Sequence, residues 1–437
     1  MRCRLGLRPL LTGGKYTILT GVLRLGYAQS RFILYFCQEI TKPMNYFSSD
    51  FTLGILGGGQ LGKMLLQETR KWDVTTAVLD PSEDAPCRLS ANRFETGALM
   101  DEETVYRFGQ SVDVLTIEIE HVNLNALYRL EAAGVHVIPP PKSLEIIANK
   151  GRQKLFYRDH QIPTADFSTY AFTSEIQESI DRGALTFPFV WKSTQFGYDG
   201  QGVKIVRSPE DLKGLPQVEC IAETLVPFAK ELAVIVCRNH SGQEVAYPAV
   251  EMEFHPEANQ VEYVLCPAQI TPQIREQAEK IAMDVARKIN HIGLLAVELF
   301  LTHEGAVLVN EIAPRPHNSG HFTIEASVTN QFEQHLRAVL NLPLGDTSSK
   351  TAAVMVNLVG DEGSEGPVSY ENMEKILALP GVTPHIYGKK ITRPFRKMGH
   401  VTITDPDPIK ARAVAQQVKE LIKVVGPQLI PQQKKTL

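Results

Sequence analysis

Ala296-Val-Glu298-Leu-Phe-Leu-Thr-His303-Glu-Gly305-Ala-Val307-Leu-Val-Asn310-Glu311-Ile-Ala-Pro314-Arg315-Pro-His317-Asn318 reads as two apolar strands joined by a short turn around His303-Glu-Gly305. Folding the second strand back on the first brings Glu298, Asn310 and Glu311 close together. Carboxylate and amide oxygens are the hard ligands that Mg2+ prefers, with Mn2+ the related candidate, and nucleotide phosphates would complete the octahedron. An acid flanked by apolar strand residues is expensive to bury unpaired, so it requires a metal or a basic partner. A salt bridge to Arg315 is the alternative to a metal here.

A second stretch, Lys192-Ser-Thr-Gln-Phe-Gly197-Tyr198-Asp199-Gly200-Gln201-Gly202-Val203, sets a lysine at the end of strand 189–192, before a glycine-rich turn into strand 203–206. Such a turn can fold over phosphates, the lysine giving a point charge and the glycines letting backbone amides approach. A plain hairpin turn is the alternative, since Asp-Gly is itself a turn signal. The lysine precedes the glycines, so this is no Walker motif.

Further upstream, Gly57-Gly-Gly-Gln60-Leu61-Gly62 satisfies the dinucleotide-binding pattern, with Asp80 ending the next strand where a ribose-binding acid would sit. The loop equally suits another anionic or polar ligand, or a tight strand-to-helix turn alone. Thr116-Ile-Glu118-Ile-Glu120-His121 ends another strand; alternation puts Glu118 and Glu120 on one face, suited to a substrate bearing amines or hydroxyls, or to solvent. A basic run of Lys389, Lys390, Arg393, Arg396 and Lys397, followed by His400, suits a phosphate or a solvated surface.

Around these motifs, short apolar runs alternate with helical stretches from Phe51 to Pro141, which indicates a parallel sheet. The expected organisation is an extension over residues 1–43, a parallel-sheet domain over 44–141, an α+β body over 142–350 with a lid at about 150–226, and a small unit over 351–437. Helices are expected over 143–161, 272–290 and 409–425. The extension is basic and acid-poor; Met44 is read as the start of the organised chain, with a transit peptide as the alternative. The 437 residues carry 43% hydrophobic and 22% charged residues and a net charge of −4, so composition lacks the basic excess of a nucleic-acid binder. No run reads as a membrane span. The six cysteines, Cys3, Cys37, Cys87, Cys220, Cys237 and Cys266, are scattered, as expected of reduced thiols in a cytoplasmic protein.

Taken together, these motifs resemble those of the ATP-grasp enzymes, and most closely the N5-carboxyaminoimidazole ribonucleotide synthetase family. The resemblance runs from about Phe51 to His400. It also includes Asn310 to His321, Gln331-Phe-Glu-Gln-His-Leu-Arg-Ala-Val-Leu340 and Arg396-Lys-Met-Gly-His400. It implies an ATP-grasp fold with a Rossmann-like pre-ATP-grasp domain and a small C-terminal domain. The implied activity uses ATP and bicarbonate to form carboxyphosphate, which carboxylates the amine of aminoimidazole ribonucleotide, without biotin or nicotinamide. Lys192 and the turn from Gly197 through Tyr198, Asp199, Gly200, Gln201 and Gly202 to Val203 would hold ATP phosphates. Glu223, Thr224, Leu225 and Val226 would form the adenine hinge, and Glu231 would bind ribose hydroxyls.

Lys150 stands where the family usually has arginine, and His255, Asn310 and Glu311 complete the nucleotide contacts. Gln60, Leu61 and Glu118 would meet the ribonucleotide, Tyr198 and Asp199 would close over it, and Lys389, Arg396 and Lys397 would take its phosphate. Arg315 and His317 would face bicarbonate, and Mg2+ would rest on Glu298 and Glu311. Homodimers are common in the family. A formate-dependent glycinamide ribonucleotide transformylase is the sibling alternative, although it resembles this loop with glutamate in place of Gln60. A non-catalytic dinucleotide-binding protein is the alternative from another class.

Overall fold

The computed structural model describes residues 45–195, 202–255 and 260–427. The extension over residues 1–43 and the turn residues Gly197, Tyr198, Asp199, Gly200 and Gln201 lie outside them.

The first sheet is parallel throughout, in the order Arg93–Thr96, Thr75–Asp80, Thr52–Leu56, Val114–Ile117, His136–Val137. Its central strands are apolar on both faces, with Leu53, Ile55, Leu56, Val78, Leu115 and Ile117 fully buried, because helices cover both sides. Chain order reverses between Thr52–Leu56 and Val114–Ile117. At such a switch point the connections diverge and leave a crevice beyond the strand ends. Gly57 to Gly62 and Glu118 occupy that crevice.

The lid is a four-stranded antiparallel sheet, Phe167–Tyr170, Cys220–Thr224, Phe189–Ser193, Val203–Val206. Thr224, Leu225 and Val226 lead from it into Phe228–Arg238 of the largest sheet. That sheet runs Val307–Ala313, Gly293–Thr302, Phe228–Arg238, Val250–Phe254, Val261–Cys266, Ala352–Val359, Lys397–Asp405, Val382–Ile386, with Glu244–Ala246 against Phe228–Arg238. It continues past residue 350, because Val261–Cys266 pairs antiparallel with Ala352–Val359. Cys87, Cys220, Cys237 and Cys266 are free and buried.

Two helical expectations are corrected. The helix expected over 143–161 is two, Pro141–Ile147 and Lys150–Asp159. Asn149 adopts an extended conformation and its side chain accepts from the Arg152 amide at 2.9 Å, an N-cap that restarts the helix with Lys150 as its first residue. The terminal helix ends at Leu421 rather than Val425. Lys423–Val425 pairs instead as a strand with Ser369–Glu371, a fit for its β-branched pair of valines.

Asn149→Ala removes the cap that starts the Lys150 helix. The expected loss is about 1 kcal/mol locally, seen as ~5-fold faster amide hydrogen exchange across Lys150–Asp159; unchanged exchange would contradict the role given to Asn149.

Candidate active site

Glu298 pairs directly with Glu311 across the antiparallel strands Gly293–Thr302 and Val307–Ala313. The next pair is Leu299 with Val309, so Asn310 is an extra residue in a β-bulge. Simple alternation would send Asn310 and Glu311 to opposite faces; a bulge lets two consecutive side chains face the same side. Both therefore reach the same cluster of lysines: Lys192 Nζ donates to Asn310 Oδ1 at 3.0 Å, and Lys150 Nζ pairs with Glu311 Oε2. Arg315, weighed as the salt-bridge partner of these acids, pairs with Glu120.

The cluster is an alternating charge lattice. Lys192 Nζ also lies 2.9 Å from Glu223 Oε2, and Lys154 Nζ lies 3.1 Å from Glu223 Oε1. These three side chains are over 90% buried. Burial would raise the Glu223 carboxyl, but Lys192 and Lys154 outweigh it and hold it down. Burial likewise pushes the Lys154 ammonium down to about 8 against the pull of Glu223. At Glu311, Lys150 and Lys192 overcome burial and hold the carboxyl low. Glu298 has less cationic support: burial, then Glu311 and Glu231, push it up to about 8. Glu231, on Phe228–Arg238, is raised to about 7 by burial, with Glu311 adding and Lys192 opposing. A site that leaves one of two facing carboxyls holding a proton is short of positive charge, and its oxygen donors match those of a hard divalent cation.

On the other side of Glu298 stands His317, its Nε2 at 3.4 Å from Glu298 Oε1 and its Nδ1 at 2.9 Å from Ser319 Oγ. Burial, then Arg315 and Lys397, push His317 down to about 3, so it is neutral at physiological pH. Arg315 makes a forked pair with Glu120, at 2.5 and 3.0 Å. Lys397 acts on both Glu298 and His317 electrostatically.

The placement of Glu118 and Glu120 on one face by strand alternation is corrected. Strand Val114–Ile117 ends before them, and each carboxylate has protein partners. Glu118 accepts from the Gly59 and Gly62 amides, both at 2.9 Å. A Cβ at Gly59 would lie 2.6 Å from Glu118 Oε1, and one at Gly57, whose φ is +95°, would lie 2.5 Å from Glu118 Cγ. The glycines therefore make room for a side chain of this same chain. Asp80 similarly accepts from the Gly58 amide at 2.7 Å. The amides that a dinucleotide pyrophosphate would use are already taken, and Gln60 and Leu61 open the helix Gln60–Lys71 beside them.

Other expected residues are less convergent. Lys389 donates to the Lys397 carbonyl at 2.9 Å. Arg396 donates to the Ile391 carbonyl and lies near Arg393, which together with burial lowers its pKa. His255 follows strand Val250–Phe254, its ring 5.8 Å from that of Phe395. Gly202, at φ +74°, and Val203 bring the lid turn back into register, Gly202 accepting from the Ser193 amide at 2.9 Å. Sequence reasoning missed Lys154, which looked like one more helical lysine. Its signal was positional, one turn beyond Lys150.

Three family models match the chain: the ribonucleotide synthetase preATP-grasp domain over residues 51–148, the ATP-grasp domain over 155–332, and the phosphoribosylaminoimidazole carboxylase C-terminal domain over 353–414. An N5-carboxyaminoimidazole ribonucleotide synthase from Synechocystis sp. is 36% identical, over 86% of this chain and 97% of its own length. A chloroplastic phosphoribosylaminoimidazole carboxylase from Vigna aconitifolia is 38% identical over 81% of this chain; the chain spans only 64% of that relative's length. The crystal structure of an Aspergillus clavatus N5-carboxyaminoimidazole synthase with ADP and 5-aminoimidazole ribonucleotide superposes with a TM-score of 0.77 at 30% identity, covering 85% of this chain and 98% of that one.

The folded value of Glu298, about 8, lies above the ordinary 4.5. The folded protein therefore keeps a proton that the unfolded chain releases, and folding loses stability as pH rises from about 5 to about 8. Glu298→Gln removes that slope. In metal-free protein, its thermal midpoint should gain on the parent across this window, by ~2 °C or more at the top, and level off above it; a constant difference would contradict the assignment.

Proposed function

We propose, from the premise that this chain belongs to the N5-carboxyaminoimidazole ribonucleotide synthetase family of ATP-grasp ligases, that it carboxylates 5-aminoimidazole ribonucleotide with ATP and bicarbonate in purine biosynthesis. The reading rests above all on one observation: the Glu298–Glu311 pair has lysines of the lid and body on one side and His317 with Arg315 on the other.

In this reading, the γ-phosphoryl of ATP passes to a bicarbonate oxygen, giving carboxyphosphate and ADP. The exocyclic amine then attacks the carboxyl carbon, phosphate leaves, and the amine loses a proton. Lys150 and Lys192 hold the phosphates of ATP as point charges, Glu223 keeps Lys192 in place, and Thr224 to Val226 receive the adenine. Glu231 meets the ribose, and His255 remains a proposed nucleotide contact. Glu298 and Glu311, with Asn310 alongside, would hold a Mg2+ ion, which when bound offsets the phosphate charge. Arg315 offers N–H groups to bicarbonate while its fork with Glu120 keeps the guanidinium aimed. Neutral His317 adds one donor without adding charge.

The ribonucleotide would lie against Gln60 and Leu61 in the crevice, with Glu118 holding the loop they stand on. Lys397 with Lys389 would receive its phosphate, and Arg396 would join them only after leaving the Ile391 carbonyl. Tyr198 and Asp199 are proposed to close the site from the lid, keeping water from carboxyphosphate. A homodimer and a cytoplasmic location are proposed on the resemblance alone; no helix among the described residues is long and apolar enough to cross a membrane.

The test is phosphate release from ATP with bicarbonate, expected only when aminoimidazole ribonucleotide is added. Release stimulated instead by glycinamide ribonucleotide with formate would overturn the substrate assignment. Glu311→Gln should lower turnover at least ~100-fold, through lost charge stabilisation of several kcal/mol, and near-parental turnover would remove Glu311 from the metal site.

A further inference from the structure

The run Gln331 to Leu340 has no part in the reaction above, yet it forms a helix, Gln331–Val339, with an unusual buried face: Gln331, Gln334 and His335 are all 0% exposed. Buried amides persist only when their donors and acceptors are satisfied. The Gln331 side chain satisfies its own on the loop that carries His317. Its Oε1 accepts from the His317 amide at 2.9 Å, and its Nε2 donates to the His317 carbonyl at 2.9 Å. The remaining Nε2 hydrogen points to His321 Nδ1, also at 2.9 Å.

One side chain thus pairs with both the N–H and the C=O of a residue at the reaction site, as a neighbouring strand would, and the Gly320 amide donates to the same carbonyl at 3.0 Å. Its own anchor is stiff. Asn330 Oδ1 caps the helix by accepting from the Phe332 and Glu333 amides at 2.9 Å, and Asn330 Nδ2 donates to Glu68 of the first domain at 3.0 Å. The Gln331 backbone N–H donates to Thr323 Oγ1, which itself donates to the Gly320 carbonyl. Gly320 leaves the space, since a Cβ there would lie 2.5 Å from Gln331 Oε1. His317 is extended, at φ −130° and ψ 155°, and with its backbone held at both ends its ring is aimed at Glu298.

We infer that Gln331 is a positioning residue, whose amide fixes the His317 backbone and thereby sets the imidazole against Glu298 where bicarbonate is activated. This rests on the proposed role of His317. A carboxylate at 331 could still accept from the His317 amide, but it would face the His317 carbonyl and His321 Nδ1 with no hydrogen to give. Protonation would restore one donor. Burial favours the protonated form, so the defect should shrink as pH falls.

The experiment is steady-state phosphate release by the full chain, its Gln331→Glu, Gly320→Ala and His317→Asn variants, with ATP, bicarbonate and aminoimidazole ribonucleotide. Gln331→Glu should lower kcat/KM for bicarbonate ~10- to 100-fold, the scale of a misplaced reacting group, with the KM for ATP within about twofold of the parent. Its kcat relative to the parent should rise as pH is lowered from about 8.5 to about 6.5. Gly320→Ala, which crowds the amide without changing its chemistry, should show the same loss with no pH trend in that ratio; if Gln331→Glu does not fold, this variant decides. Loss of activity in His317→Asn with parental bicarbonate kinetics in Gln331→Glu or, failing it, Gly320→Ala overturns the role of Gln331 and leaves the reaction standing. A pH-independent ratio in Gln331→Glu also overturns it. A parent without bicarbonate-dependent turnover overturns the reaction itself, and the inference with it.

Discussion

Two carboxylates facing each other across paired strands, Glu298 against Glu311, are the constraint around which this molecule is arranged. Two like charges this close cannot both ionise in a shielded cleft without cations. The cations come from separate parts of the chain: Lys150 from the first turn of a capped helix, Lys192 from the end of a lid strand, and Lys397 from the head of a strand late in the sequence. Lys192 in turn shares Glu223 with Lys154. Removing one member of such a buried lattice strands its partner, a loss of about 3–5 kcal/mol in comparable pairs.

The same centre explains why the first domain is fastened where it is. Glu120 reaches across to Arg315, the buried Thr116 hydroxyl meets His335 Nε2 at 3.1 Å, and Glu68 receives Asn330. His335 Nδ1 accepts from the Leu294 amide at 3.2 Å, so Nε2 carries the proton and donates to Thr116. Leu294 stands near the start of the strand that bears Glu298, and Thr116 stands two residues before Glu118. Asn318 and Asn357 exchange a reciprocal pair of amide hydrogen bonds at 2.8 Å, tying the His317 loop to the sheet on the C-terminal side. These polar contacts fix geometry more than they add stability, since each net hydrogen bond contributes about 1 kcal/mol.

Much of this was legible in the sequence, and what was not has a common cause. The facing of Glu298 and Glu311 followed from two apolar runs and a short turn, all local. The parallel sheet followed from alternating strands and helices, and the lid hairpin from strands on either side of a glycine turn. The bulge at Asn310 was invisible, because only pairing with a partner strand reveals an extra residue. Gly57 to Gly62 left a ligand loop and a plain turn both open, because its glycines look alike whether they admit a pyrophosphate or a side chain. Their occupant, Glu118, lies 56 residues beyond Gly62. Gln331 is similar: nothing local marks a buried amide whose partners lie 10 and 14 residues back. The break at Asn149 was a miss with a local signal, an N-cap residue placed directly before Lys150.

The measurement closest to the central claim is the position of a divalent cation in crystals of the protein grown with ADP and Mn2+, located by its anomalous scattering. The account predicts a peak within coordination distance, ~2.1 Å, of an oxygen from each of Glu298 and Glu311, with Lys150 displaced from Glu311 toward the phosphates. A cation held by the phosphates alone, with Lys150 still paired to Glu311, would contradict it.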